Sequence, residues 1–341
     1  MTGGGPGVLV TGASGLVGSH VVAALGVRGE HVRALVRPAS RAAVERLDAE
    51  AIPGDVTDPA AWRAAAGGRG IRGIVHAAAV VQRRATWEHY VAVNVDATRL
   101  AVETARATGA RLVHISSVAV YGGSAAYPTE AECRAEDFPF QPIAAHDFYA
   151  RTKRLAEEVV RDAGLAAAAI RPTVIYGERD RLFTPRVIRA LRLPLQLQIG
   201  PGSNRLSCVY AGNVAAAALA ALDRPLAGFR AYNVTGDAPP ALSQREFFAA
   251  FAAALGRPFR PVRIPPPLAH VLLGLFTARR LARAAARFLT GDNPYVDDRA
   301  RTELDWRPAI AARDAIGRTV RWFLENEKPG RESRASSLRR G

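Results

Sequence analysis

Short apolar runs alternate with stretches of helical periodicity through the first half of the chain. Val8-Leu9-Val10 is long enough for a buried strand and runs through a glycine-rich turn into an apolar helix carrying Val21, Val22 and Leu25. His31 to Val36 predicts a second strand, a short run before Gly54 a third, and Ile74-Val75-His76 the end of a fourth. Fifth and sixth strands are expected up to Ser117 and Pro172. Strand and helix signals keep alternating to about residue 177, which argues for an α/β fold with a parallel, doubly wound sheet. Beyond it the pattern is less regular. Proline clusters stand at Pro239-Pro240 and Pro265-Pro266-Pro267, and Ser207 to Tyr210 and Tyr232 to Gly236 read as further strands. There is no internal repeat.

The turn after the first strand carries the first chemistry. Gly12, Gly15 and Gly18 are spaced Gly-x-x-Gly-x-x-Gly between a strand and a helix. In that context Gly12 allows the tight turn, Gly15 lets backbone approach a pyrophosphate, and Gly18 packs helix on strand. Ser14, Leu16 and Val17 supply the backbone around the helix N-terminus, whose free N–H groups and positive dipole end favour phosphate. The competing reading is an ordinary glycine-rich strand–helix turn. The second strand then ends at Arg37, with Arg41 behind it, where an acidic residue would accept the hydroxyls of an adenosine ribose. Guanidinium groups there suit a 2′-phosphate, so NADP is expected in preference to NAD, against the alternative of chance placement among 44 arginines. Asp55 and Val56 follow the third strand and are expected beside the adenine. Ala77, Ala78 and Ala79 end the fourth in side chains too small to block a cofactor.

Tyr149 and Lys153 are four residues apart, on one face of a helix. Lys153 is one of only two lysines in the chain. A fixed ammonium beside a phenol stabilises the phenolate and brings its pKa from about 10 toward neutrality, which makes a usable general acid/base. A guanidinium would be a planar fork instead of a compact charge able to reach ribose hydroxyls.

Taken with the glycine motif, Asp55-Val56, His76 to Ala79, Asn94 to Thr98, Ile115-Ser116-Ser117 and Arg171 to Gly177, this pair gives a clear resemblance over residues 8 to about 325. The chain resembles the extended short-chain dehydrogenases/reductases, the superfamily of NAD-dependent epimerases, dehydratases and 3β-hydroxysteroid dehydrogenases. The resemblance implies a Rossmann-type dinucleotide-binding domain over 1–177, with returning segments near 206–236. It implies a smaller, mostly C-terminal α/β substrate lobe over 178–205 and 237–326. Tyr149 would then handle the proton on a carbonyl or alcohol oxygen. Lys153 would hold the nicotinamide ribose and depress the tyrosine pKa, and Ser117 would orient substrate, with Ser116 its neighbour on the opposite face. Asn94 would open a helix, capping it or bridging water. Pro172, with Val174 beyond it, would set the backbone facing the nicotinamide carboxamide. The order Ser, Tyr, Lys also admits nucleophilic chemistry, but no activating base is evident.

Within the superfamily, sugar-nucleotide enzymes usually carry an asparagine where this chain has Val174, and an arginine one place later than Arg205. Arg171 to Asp180, Val209 to Ala215 and Asp292 to Arg299 instead resemble the 3β-hydroxysteroid dehydrogenase/isomerase branch. The expected activity is NAD(P)-dependent interconversion of a secondary alcohol and a ketone on a lipophilic, steroid-like or β-keto/β-hydroxy acyl substrate. The alternatives are a sugar-nucleotide epimerase/dehydratase with retained NAD, and a non-catalytic cofactor-binding scaffold. The resemblance further implies a homodimer through the helices holding Asn94 and Tyr149.

Composition changes this picture at three points. The net charge of +15 is spread along the chain and forms no recognisable nucleic-acid-binding element, so an acidic substrate or an anionic membrane surface is favoured over nucleic acid. Leu268, Val271, Leu272, Leu275 and Phe276 follow helical spacing, with Arg279, Arg280, Arg283 and Arg287 behind. This stripe is far short of the roughly 20 residues of a transmembrane helix. It reads either as a helix closing the substrate pocket or as an interfacial helix making peripheral membrane contact. The segment 327–341 is polar, arginine-rich and expected to be disordered. Cys133 and Cys208 are the only cysteines, lie in no metal-spaced cluster and are expected as free thiols. With the first strand starting at once and no signal peptide in view, a cytoplasmic protein is expected.

Overall fold

The computed structural model describes residues 5–68, 70–81, 85–122, 134–269 and 286–327. The stripe from Val271 to Arg283, Cys133 and the tail beyond Glu327 fall outside them. The strands of the first half are β1 (Gly7–Thr11), β2 (Val32–Val36), β3 (Glu50–Pro53), β4 (Ile71–His76), β5 (Arg111–Ile115) and β6 (Ala167–Pro172). The helices between them are α1 (Leu16–Val27), α2 (Arg41–Glu45), α3 (Pro59–Ala66), α4 (Trp87–Val91), α5 (Ala97–Thr108) and α6 (Phe148–Asp162). The second half contributes β7 (Val174–Tyr176), α7 (Thr184–Arg192), β8 (Leu197–Ile199), β9 (Cys208–Tyr210), α8 (Ala211–Asp223), β10 (Phe229–Val234), α9 (Gln244–Ala254) and β11 (Val262–Ile264). Two helices, α10 (Asp298–Glu303) and α11 (Ala312–Asn326), complete the described chain.

Seven strands form one parallel sheet in the order β10-β6-β5-β4-β1-β2-β3. Strand residues alternate between its two faces. Val8, Val10, Val75 and Val113 pack with Val21 and Leu25 of α1 and Ala218 and Leu222 of α8. Leu9, Ile74 and Leu112 face the other way, onto Trp62 of α3, Ala101 of α5 and Val160 of α6. With both faces covered, the strands are nearly all apolar, as a parallel sheet requires. The strand order reverses between β1 and β4, so the crevice beyond their C-terminal ends is the topological switch point where such sheets take ligands.

Pro172 ends β6, and the chain peels away: Thr173 N–H still donates to Val234 at 3.2 Å, but Val174 N–H donates to Ser207 at 3.0 Å. The expected return near Ser207 to Tyr210 therefore needs correcting. That strand forms as β9, but it pairs with β7 in a separate two-stranded ribbon, because β10 already holds the place beside β6. A second ribbon joins β8 to β11. Around these ribbons α7, α9 and α11 enclose a third core built on Tyr176, Leu191, Leu206, Phe247, Phe251 and Ile316. Asp237, just past β10, ties this part to the sheet. It accepts from Tyr176 OH at 2.5 Å and from Tyr210 N–H and Asn213 Nδ2 at 2.8 Å. Its burial pushes the carboxyl pKa up, and these three donors pull the other way.

Underneath the sheet end lies a buried ion pair. Arg171 of β6 meets Glu157 of α6 through Nε at 3.1 Å to both carboxylate oxygens, and through Nη2, with both side chains at most 5% exposed. Ser116 Oγ donates to the same carboxylate at 2.6 Å, and Arg171 Nη1 donates to Tyr121 OH at 2.9 Å. Glu157→Ala would strand the guanidinium in the interior and is expected to cost about 3–5 kcal/mol, read as a lower urea midpoint. Replacing both partners with apolar residues should recover most of it.

Candidate active site

The crevice is built from the turn after β1 and the loop after β4. Gly12 takes φ +67°, and a Cβ on it would lie 2.7 Å from Ala77 C and Ala78 N. A Cβ on Gly18 would lie 2.2 Å from the Gly12 oxygen. Both positions are closed to side chains. Gly15 differs, since a Cβ there meets only the Gly12 oxygen at 3.1 Å and otherwise open space. Gly15 also caps α1 with no side-chain hydrogen bond, which leaves the first-turn N–H groups of Leu16, Val17 and Gly18 without a side-chain partner. A bare helix N-terminus beside open space fits a pyrophosphate. Bound there, NAD supplies a nicotinamide ring that takes up or gives a hydride.

The remaining cofactor-side residues divide clearly. Ala77 N–H donates to the Thr11 carbonyl and Ala78 N–H to Thr11 Oγ1, each at 3.3 Å, so the alanine loop is pinned against the turn. Arg37 is exposed just past β2 and forms no ion pair among the described residues. Arg41 is exposed and already engaged, its Nε 2.7 Å from Glu45. Asp55 Oδ1 accepts from both N–H and Oγ1 of Thr57, which makes it first a turn residue. Val56 is half-buried against the core.

Ser117 caps the short helical turn Val118–Tyr121, accepting from Ala119 N–H at 3.1 Å. Its hydroxyl also acts on the Tyr149 phenol at the start of α6, so the structure brings these two together. Asp147 caps α6 by accepting from Ala150 N–H at 3.1 Å. Burial raises the Tyr149 pKa and Ser117 pulls it back only in part. This corrects the expected depression by Lys153. The Lys153 ammonium is turned instead to the Ile115 carbonyl and lies 3.5 Å from His114 Nε2. Ser116 also needs correcting as a cofactor contact, since its hydroxyl is committed to Glu157 on the opposite face. Asn94 does not open a helix either. That helix begins at α4, capped by Thr86, and Asn94 sits in a π-helical turn, Ala92–Asp96. Its amide accepts from Val80 N–H at 2.7 Å and donates to Val80 O and Thr152 Oγ1, fastening the loop after β4 to α6.

Residues missed in the sequence lie behind Lys153. Thr11, His76 and His114 are in register on β1, β4 and β5. Thr11 Oγ1 is 2.8 Å from His76 Nδ1, and the two imidazoles stack at 5.6 Å. Burial, then the Lys153 charge, takes the His76 pKa down to about 3 and that of His114 well below its ordinary value. Both rings are neutral at working pH. The available signal was a histidine at or next to the end of each of two apolar strands. A cavity of about 690 Å³ lies between β9, the end of β10 and the segment Asp292–Asp297, with Arg205, Leu206, Leu242, Phe247 and Asn293 in its wall. Tyr295, also in the wall, stacks at 5.7 Å on Tyr121 of the Ser117 turn.

Burial brings the Lys153 pKa to about 8, against the pull of Glu157. The unfolded lysine binds more protons between about pH 8 and its ordinary 10.5, so this group makes stability rise with pH across that window. With Lys153 and Lys328 the only lysines, 13C-lysine labelling should give two ε signals, one titrating near pH 8 and lost in Lys153→Met.

Three comparisons agree with this geometry. A model of the NAD dependent epimerase/dehydratase family matches residues 8–235. The ceramide reductase of Caulobacter vibrioides is 28% identical over 93% of this chain and 94% of that protein. A 3-diazoavenalumate denitrifying reductase of a Streptomyces species is 32% identical over 91% of this chain and 99% of that protein. The crystal structure of the Bordetella bronchiseptica enzyme WbmH with NAD+ shares the fold at TM-score 0.74 and 19% identity, covering 94% of this chain and 99% of that one. With a family model spanning the cradle, the Ser117 turn and the sheet, the chain belongs to the NAD dependent epimerase/dehydratase family and is an NAD-dependent oxidoreductase of the extended short-chain dehydrogenase type.

Proposed function

We propose that this enzyme interconverts a secondary alcohol and a ketone on a lipophilic substrate, working chiefly as a reductase. The observation that carries the reading is the Tyr149 phenol, half-buried beside Ser117 at the switch-point crevice and kept protonated by its burial. A protonated phenol is the form that donates to a carbonyl oxygen as hydride arrives at its carbon. Ser117 orients that oxygen. The similarity to a ceramide reductase supports a long-chain acyl substrate, and Leu206, Leu242 and Phe247 offer apolar wall while Arg205 and Asn293 offer a polar end. Tyr149→Phe is expected to lower turnover by about 10²–10⁴-fold with cofactor affinity kept in calorimetry. Full turnover in that variant would sink the reading. Tightly co-purifying NAD without net reduction of added cofactor would favour the sugar-nucleotide epimerase alternative.

Arg37, exposed and free of ion pairs among the described residues, supports NADP over NAD, with Arg41 held by Glu45. Calorimetric titration should find NADP tighter by about tenfold, or 1.4 kcal/mol, and Arg37→Ser should erase the difference. Equal affinities in the parent protein would remove Arg37 from the site. The helices holding Asn94 and Tyr149 are the proposed dimer face, and light scattering on the purified protein should return twice the chain mass.

A further inference from the structure

The segment from Leu193 to Ile199 runs Leu-Pro-Leu-Gln-Leu-Gln-Ile, and its inside and outside are exchanged. Leu193, Leu195 and Leu197 are 53%, 58% and 52% exposed, while Gln198 is buried. The glutamines have internal work. Gln196 Nε2 donates to the Leu191 and Pro258 carbonyls and its Oε1 accepts from Arg260 N–H. Gln198 Nε2 donates to the Gly200 and Pro201 carbonyls, and its Oε1 accepts from Arg245. Satisfying this loop's backbone from within thus turns its leucines outward. Val262 pairs in register with Leu197 across the β8–β11 ribbon and is itself 53% exposed. Adjacent large apolar groups left in water on one ribbon signal a surface made for a partner.

Charge decides which partner. The whole chain carries 31 acidic residues in 341, yet residues 181–222 and 247–269, which supply this ribbon and its flanks, hold no aspartate or glutamate at all. Arg189, Arg257, Arg260 and Arg263 are exposed and form no ion pair among the described residues. An apolar ridge flanked by unpaired arginines, on segments with no carboxylate of their own and with Glu327 at its base neutralised by Arg192 at 2.8 Å, matches an anionic bilayer surface. A second copy would bring like charge against like. No helix among the described residues is long and apolar enough to cross a membrane, so the contact is peripheral.

We propose that the β8–β11 ribbon docks this enzyme on an anionic phospholipid surface, with Leu195, Leu197 and Val262 entering the interface and Arg260 and Arg263 meeting headgroup phosphates. From β8 the chain runs on to Ser203, which lines the 690 Å³ cavity, so the docked ribbon stands next to the chamber assigned to substrate. In this the proposal extends the lipophilic-substrate reading. Vesicle binding is measured without turnover, so either can fail alone.

The test is co-sedimentation of the full chain with phosphatidylcholine vesicles containing about one third phosphatidylglycerol, against phosphatidylcholine alone. Binding is expected only to the anionic vesicles, weakening with salt. Leu195→Ser/Leu197→Ser should weaken it by about tenfold or more with NAD binding retained. Arg260→Glu/Arg263→Glu, wholly on the surface, should do the same and covers the case in which the leucine pair harms folding. No binding to anionic vesicles overturns the proposal. So does binding that survives both variants, which would assign the affinity to another basic segment such as 327–341. A dimer that falls apart when the two leucines are replaced would also overturn it, making the face a contact between copies.

Discussion

The elements at the C-terminal end of the sheet hang from the Glu157–Arg171 pair. Lys153 and Glu157 are one turn apart on α6, Ser116 adjoins the serine facing Tyr149, and Tyr121 closes the Ser117 turn. One carboxylate and one guanidinium therefore fix the helix that carries the phenol, the turn that carries the serine and the last strand before the chain leaves the sheet. Charges this deeply buried are tolerated only because every donor finds an acceptor. Asn233 of β10 joins the same web by accepting from Tyr121 OH at 2.8 Å. The geometry of the proposed site is thus inherited from the interior instead of being set by the surface of the crevice.

Lys153 shows the cost of that arrangement. Its ammonium sits among a carbonyl and two imidazoles that are themselves too buried to charge. A cation held where hydration is lost, with Glu157 pulling for it, has its pKa brought down to about 8 and begins to give up its charge just above physiological pH. An arginine in its place would keep its charge under the same conditions. In a chain with 44 arginines this is a physical reason for retaining a lysine at that one position.

The sequence was most legible where local geometry dictates residue type. Gly12, Gly15 and Gly18 announced their turn because two of the three positions have no room for a Cβ, and Tyr149 and Lys153 announced a helix face by spacing alone. The apolar run Val8-Leu9-Val10 was long enough to announce a strand buried on both faces. Legibility failed where an outcome depended on competition in space. Whether β9 joins the main sheet depends on β10 having taken the edge, which no local pattern records. Asn94 looked like a helix opener because the five-residue π-turn around it has no signature in single residues. The direction of the Lys153 ammonium was set by the Ile115 carbonyl, 38 residues away, and the Tyr149 pKa by the burial of its phenol.

That π-turn has a consequence of its own. A wide turn inside a helix holds one residue more than α-helical winding needs, so the chain is out of phase before and after Asn94. Each residue of an α-helix advances the face by about 100°. Winding the same five residues, Ala92 to Asp96, as a regular α-helix would swing everything ahead of them by about that angle. Trp87 and Tyr90, which now pack edge-on against Phe148 beside the Tyr149 phenol, would rotate off it, and the loop after β4 would lose its anchor. A tightening of this one turn that leaves every proposed site side chain in the sequence would still dismantle the site, by changing only the phase of one helix.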